Sequence, residues 1–155
     1  MAALIVNPAD ETYLLLRRAA MKDFAPGAWE CVTGRVDQGE GFEEALRREV
    51  REELGVDVFV EYILGTTHFY RGTAVPENEL IGVIYLCTVA DSSAICLSAE
   101  HDTYRWLTAA QSADLLSAND ATSAWTRALV ARAEAVRPLL SAELRQFNRR
   151  HGFQL

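Results

Sequence analysis

A layered α/β fold with a mixed β-sheet is the prediction for this 155-residue chain, and three observations make it. Half of the residues are hydrophobic, enough to build the core of one domain at this length. Strand-type runs are flanked by helix-type segments both mid-chain and toward the C-terminus, the pattern of sheet and helix layers. Between them, residues 40–54 carry an amphipathic helix whose apolar stripe needs a sheet to cover.

In chain order, residues 2–6 and 12–17 read as strands joined by the turn Asn7-Pro8-Ala9-Asp10. Residues 22–28, with Pro26 and Gly27, form a loop leading into a short strand at 29–33. The helix over about 40–54 stops at Gly55, a glycine suited to the left-handed turn after a helix. Residues 56–70 are one long or broken strand, 72–78 a turn, and 80–89 a buried strand. A last short strand at 103–107 precedes a short helix at 109–117 and a break at 117–120. A longer helix from about 122 sets Trp125, Leu129 and Ala133 on one stripe, and Pro138 kinks or ends it. The C-terminal helical segment covers about 109–150.

The central helix carries the chemistry. At about 100° per residue, Phe42, Ala45, Leu46, Val50 and Leu54 share one apolar face. Glu49 and Glu53 project onto that same face, with Glu52 at its edge. Glu43 with Arg47, and Glu44 with Arg48, have the spacing of surface ion pairs, and Arg48 also reaches Glu52. Glu49 and Glu53 have no Lys or Arg three or four residues away, and they repel each other. Acids on a buried face need a partner, so this cluster asks for a cation.

Gly34, Glu40, Arg48, Glu49, Val50, Glu52, Glu53, Gly55 and Val56 match the Nudix box, G-x5-E-x7-R-E-U-x-E-E-x-G-U with U aliphatic, at every fixed position. The chain therefore resembles the Nudix hydrolases, with looser similarity running from Leu14-Leu15-Leu16-Arg17-Arg18 to Arg105-Trp106-Leu107. That resemblance implies one Nudix domain over 1–155, an α/β/α sandwich, and hydrolysis of a nucleoside diphosphate linked to another moiety. It implies Mg²⁺ as cofactor, with Mn²⁺ as a substitute. Glu49, Glu52, Glu53 and Glu100 are the candidate metal ligands, joined by the carbonyl of Gly34. Glu49, Glu52, Glu100 and Arg48 are the candidate catalytic residues, Arg48 as an orienting partner for a motif carboxylate. Glu40 stabilises the loop or caps the helix start.

The general base stays open among Glu49, Glu52, Glu100 and Glu79. Glu100 lies in Glu-His-x-x-Tyr-x-Trp-Leu, which resembles the segment supplying a metal-binding glutamate in dihydroneopterin triphosphate pyrophosphatases. Val32-Thr33-Gly34 replaces the Pro-Gly-Gly of many Nudix proteins and also occurs in that group. Arg71 stands where many ADP-ribose pyrophosphatases have proline, and the NADH-pyrophosphatase signature is missing. These features favour a nucleoside or pterin triphosphate, cleaved to monophosphate and pyrophosphate, over a dinucleotide or nucleotide sugar. A non-catalytic Nudix module is disfavoured because the box glutamates are intact. Trp29, Arg18, His68 and Tyr70 are the candidate substrate contacts; Phe69 and Tyr85 are further rings that could stack on a base.

Composition agrees with a small-molecule phosphoanhydride substrate. A formal charge of −7 and a pI near 5.0 argue against nucleic acid and anionic membranes as partners. Three cysteines without a C-x-x-C pair argue against a disulfide framework or a zinc site. No apolar run nears the roughly 20 residues that span a bilayer, and residues 1–6 lack a signal-peptide pattern. A soluble, cytoplasmic protein is expected, with a homodimer left open. The basic residues Arg145, Arg149, Arg150 and His151 read as a solvated helix end.

Overall fold

The computed structural model describes residues 1–154; Leu155, the last residue of the expected domain, lies outside them. Its strands are β1 (Ala2–Asn7), β2 (Thr12–Arg18), β3 (Trp29–Glu30), β4 (Val32–Thr33), β5 (Val58–Tyr70), β6 (Glu79–Val89) and β7 (His101–Leu107). Its helices are α1 (Phe42–Leu54), α2 (Ala109–Leu115), α3 (Ala121–Val136) and α4 (Ala142–His151). The sheet runs β3-β2-β1-β6-β5, with β4 paired to β1 and β7 to β2. β1 and β6 are parallel and the other pairs antiparallel, so the sheet is mixed as expected.

Period-two alternation sorts the strands onto two cores. Ala3 and Ile5, Leu14 and Leu16, Tyr85 and Cys87 face Leu46, Val50 and Leu54 of α1. Leu4 and Val6, Tyr13, Ile84 and Leu86 face Leu129, Val130 and Ala133 of α3. This is the α/β/α sandwich. Leu46, Val50 and Leu54 are fully buried, each contributing about 1.5–3 kcal/mol by the usual transfer scale. Leu46→Ala would cost about 2–5 kcal/mol through the cavity it leaves.

Several boundaries differ from expectation. α1 begins at Phe42, not residue 40, because Gly41 is extended and its N–H is capped by Glu44 Oε2 at 2.8 Å. Glu44 therefore does not pair with Arg48. Phe42 is the first residue of the helix and is 40% exposed rather than on the buried stripe. Gly55 closes the helix at φ 68°, a left-handed conformation that glycine adopts without strain. The strand expected at 29–33 breaks at Cys31, where the chain leaves β2 and passes to the start of β1. β5 is long and twice shifted in register, and β7 starts two residues early, at His101.

Pro138 does end α3, in a single 3-10 turn over Arg137–Leu139, and Ser141 then caps α4. The basic end of α4 is not merely solvated. Arg149 Nε donates to the fully buried Glu61 at 2.7 Å, and Arg145 donates to the carbonyls of Leu140 and Arg137. Cys31 and Cys87 are buried, Cys96 is exposed, and all three are free. No helix among the described residues is long and apolar enough to cross a membrane.

Candidate active site

The loop before α1 lies directly on the helix. A Cβ at Gly34 would fall 2.1 Å from Glu49 Cδ, so any larger residue there would push the Glu49 side chain aside. Arg48 fastens the rest of the loop. Its guanidinium donates to both oxygens of Glu40 at 2.9 Å and to the Arg35 carbonyl at 3.0 Å. The same side chain reaches Glu49 Oε1 at 3.0 Å and Glu52 Oε2 at 3.3 Å. Arg48 and the Asp37 N–H hold the Glu40 carboxyl below its usual range, which makes Glu40 a loop fastener rather than a helix cap. Glu49 is thus not unpaired: its partner is adjacent in sequence, reached because an arginine stem is long enough to fold back.

Glu53 is the acid that lacks a counter-charge. It sits in the last turn of α1 at 4% exposure, and its Oε2 has no hydrogen-bond partner. Burial, then the charges of Glu30, Glu49 and Glu100, push its carboxyl up to about 9, with Arg18 opposing. Those four carboxylates come from α1, β3 and the 96–100 segment. Ser98 N–H donates to the Glu53 carbonyl and Cys96 N–H to that of Leu54, both at 2.9 Å, so that segment is stitched to the end of α1.

Glu100 faces this space from the other side. Lys22 Nζ lies 2.5 Å from its Oε2 and holds its carboxyl below the ordinary value. Glu52 is at the rim, with 59% of its side chain exposed. The Gly34 carbonyl accepts from the Met1 nitrogen at 2.7 Å.

Glu79 stands apart. It pairs with His68 at 2.8 Å near the tip of the β5–β6 hairpin, and it is not among the charges that act on Glu53. Tyr70 packs edge-on against His68, with both exposed. Trp29 is half-buried under the Arg105 guanidinium. Arg18 turns inward to Glu30 at 2.7 Å and to the Phe24 carbonyl at 2.9 Å. Tyr85 is buried in the core against Phe153, which removes it as a stacking surface. Glu30, Lys22 and the inward face of His101 are not foreshadowed by the helix spacing. Only a lone acid in the apolar strand Trp-Glu-Cys-Val signals Glu30.

The donor chemistry fits a hard divalent cation: several carboxylates, one carbonyl nearby, and an orphaned buried oxygen. Among the described residues, no three such side chains already converge on one point, since Arg48 draws Glu49 and Glu52 toward itself and Lys22 draws Glu100.

Fold and site together define a Nudix-type hydrolase. The family model described as the NUDIX domain matches residues 1–129, and the chain belongs to this family as a Nudix pyrophosphohydrolase. A nucleoside triphosphatase NudI from Salmonella schwarzengrund is 36% identical over 105 residues, covering 63% of this chain and 74% of that protein. The Salmonella arizonae protein of the same name is 35% identical over the same span. Among solved structures, the MutT protein from Methanosarcina mazei Go1 superposes with a TM-score of 0.69 at 26% identity, covering 88% of this chain and 91% of that one. The E. coli dihydroneopterin triphosphate pyrophosphohydrolase gives a TM-score of 0.63 over 88% and 93% of the two chains. At 19% identity, that likeness is one of fold alone.

Proposed function

We propose that this protein is a Mg²⁺-dependent hydrolase that converts a nucleoside triphosphate to the monophosphate and pyrophosphate. The observation that carries the reading is Glu53 itself, a buried carboxyl with no cationic side chain in hydrogen-bond contact and with the Glu30, Glu49 and Glu100 carboxylates around it, a setting suited to a divalent cation. The relatives named nucleoside triphosphatase support a nucleoside triphosphate ahead of a pterin triphosphate, for which the support is fold and the Val32-Thr33-Gly34 resemblance.

Glu53, Glu49 and Glu52 would hold the cation, with Glu100 and the Gly34 carbonyl able to join them. Bound there, Mg²⁺ would offset phosphate charge and orient water. The chain's own residues do the rest. Arg48 keeps the loop over α1 and restrains Glu49 and Glu52. Lys22 keeps Glu100 ionised, which suits it to accept the proton of the attacking water. Water oxygen bonds to phosphorus, the bridging P–O bond breaks, and pyrophosphate leaves as the partner of the new monophosphate. Trp29, His68 and Tyr70 are the proposed rim contacts to the base. Arg18 is a proposed contact whose guanidinium must first leave Glu30.

Pyrophosphate release measured with Mg²⁺ over a panel of nucleoside triphosphates, dihydroneopterin triphosphate, diadenosine polyphosphates and ADP-ribose tests the reading. Turnover of nucleoside triphosphates that stops in EDTA is expected. Turnover only of the dinucleotide or ADP-ribose would replace the substrate class, and metal-independent turnover would remove the cation.

A further inference from the structure

Behind Glu53, side chains from four elements form a buried chain. The register shift between Arg17 and Arg18 sets Arg18 opposite His101 across β2 and β7. Arg18 Nη1 donates to Glu30 Oε1 at 2.7 Å, and His101 Nε2 lies 3.3 Å from the same oxygen. On its other side, His101 Nδ1 faces Glu53 Oε2 at 3.7 Å. Glu30, His101 and Glu53 are each no more than 5% exposed. Burying so many polar groups costs free energy that apolar packing would avoid.

The link to Glu30 is made, whereas the link to Glu53 is open: His101 Nδ1 and Glu53 Oε2 both lack a hydrogen-bond partner. The backbone around this gap is fixed by the hydrogen bonds from Cys96 and Ser98 to the end of α1. Side-chain movement of roughly 0.5–1 Å would close it. The Arg18–Glu30 pair joins β2 to β3 without any help from His101.

We propose that His101 is the positioning residue for Glu53. Its imidazole, wedged between Glu30 and Glu53, fixes Oε2 as the inward oxygen, so that a divalent cation meets the other one. Partners behind a ligating carboxylate commonly set both its orientation and its affinity for metal. This role rests on the cation-binding reading above.

The test compares Mn²⁺ binding, followed by electron paramagnetic resonance of the free ion, in wild type, His101→Phe, His101→Asn and His101→Gln. Losing the imidazole in His101→Phe should weaken Mn²⁺ binding roughly tenfold to a hundredfold while KM for the nucleotide changes less than about threefold. Asparagine places an amide nitrogen near the Nδ1 position and should recover most of the affinity. Glutamine, which reaches the Nε2 position, should recover less. Mn²⁺ affinity within about twofold of wild type in folded His101→Phe would overturn the proposal. If that variant does not fold, ¹⁵N spectra of wild-type imidazoles decide: Mg²⁺ should move the His101 Nδ1 resonance, and an unmoved resonance counts against the role. Wild-type protein that binds Mn²⁺ with a silent His101 refutes the positioning role alone. Wild-type protein that binds no Mn²⁺ refutes the cation reading and this role with it.

Discussion

Glu53 and Glu61 are the same residue type, both buried, one in the last turn of α1 and one in β5. Glu61 is fully enclosed, yet its Oε1 accepts from Arg149 Nε and from Thr88 Oγ1, each at 2.7 Å. Its second oxygen is unpartnered, but a full positive charge lies beside it. Glu53 has Glu30, Glu49 and Glu100 around it, and no cation in hydrogen-bond contact. One acid is compensated by a residue 88 positions later in the chain and belongs to the architecture. The other is left short of positive charge, which is the condition for recruiting an ion from solution.

The largest expected effect follows from that contrast. Glu53→Gln should lower kcat roughly a thousandfold, about 4 kcal/mol of transition-state stabilisation. In EDTA its melting temperature should hold or rise at neutral pH, because folding no longer has to protonate a carboxyl that the unfolded chain leaves ionised. Near-normal turnover at saturating Mg²⁺ would dissolve the distinction between the two glutamates.

Arg149→Met should behave in the opposite way. It leaves Glu61 buried and unpaired, for a loss of about 2–4 kcal/mol, the partial exposure of Arg149 reducing the full buried-pair cost. Melting should fall on the order of 10 °C, while kcat of the folded fraction stays within about twofold. A drop in kcat with unchanged melting would move Glu61 into the reaction.

Next in size is Glu100→Gln, expected to reduce kcat and kcat/KM together by roughly a hundredfold with little change in KM. Glu79→Gln, whose acid is engaged by His68 at the hairpin tip, should stay within about twofold. A large effect at Glu79 and none at Glu100 would transfer the base to the β5–β6 hairpin.

Metal should also stabilise the fold through one glutamate and not the other. With free Mn²⁺ at about a hundred times its Kd, the gain is roughly 2.7 kcal/mol, read as a rise in melting temperature. Glu53→Gln should blunt that rise and Arg149→Met should keep it. Equal shifts in the two variants would show that the ion binds elsewhere.

The smallest effect concerns the compensated side of the molecule at high pH. Burial and the hydrogen bond to Glu134 raise the Tyr13 phenol from 10.0 to about 12. The folded state then keeps a proton that the unfolded chain gives up above pH 10. Stability from this group is whole below that pH and drains away as pH climbs toward 12. Denaturant titrations between pH 9 and 12 should show a steeper decline for wild type than for Tyr13→Phe.

Periodicity made the layers legible. Alternate strand residues divided cleanly between the α1 and α3 cores, and Leu46, Val50 and Leu54 marked the buried stripe of α1. The box glutamates were legible too, because helical spacing is short-range geometry. Arg48 defied the same rule: pairing limited to three or four residues missed its contacts with Glu40, eight positions back, and with its neighbour Glu49. Phe42 and residue 40 were misplaced because a helix end is set by capping hydrogen bonds, which an apolar pattern does not encode.

The sequence by itself determined the fold class, the family and the cluster of acids on one helix. All three are written in local spacing and in the types of residue that spacing requires. Only the tertiary structure decided which acid would be left without a counter-charge. Arg149 reaches Glu61 across 88 residues and Arg18 is spent on Glu30, while Lys22 goes to Glu100. Each of these pairings depends on where strands and loops meet in space. Electrostatic compensation acts through distance and burial, so the identity of the uncompensated residue, Glu53, emerges when the chain has folded.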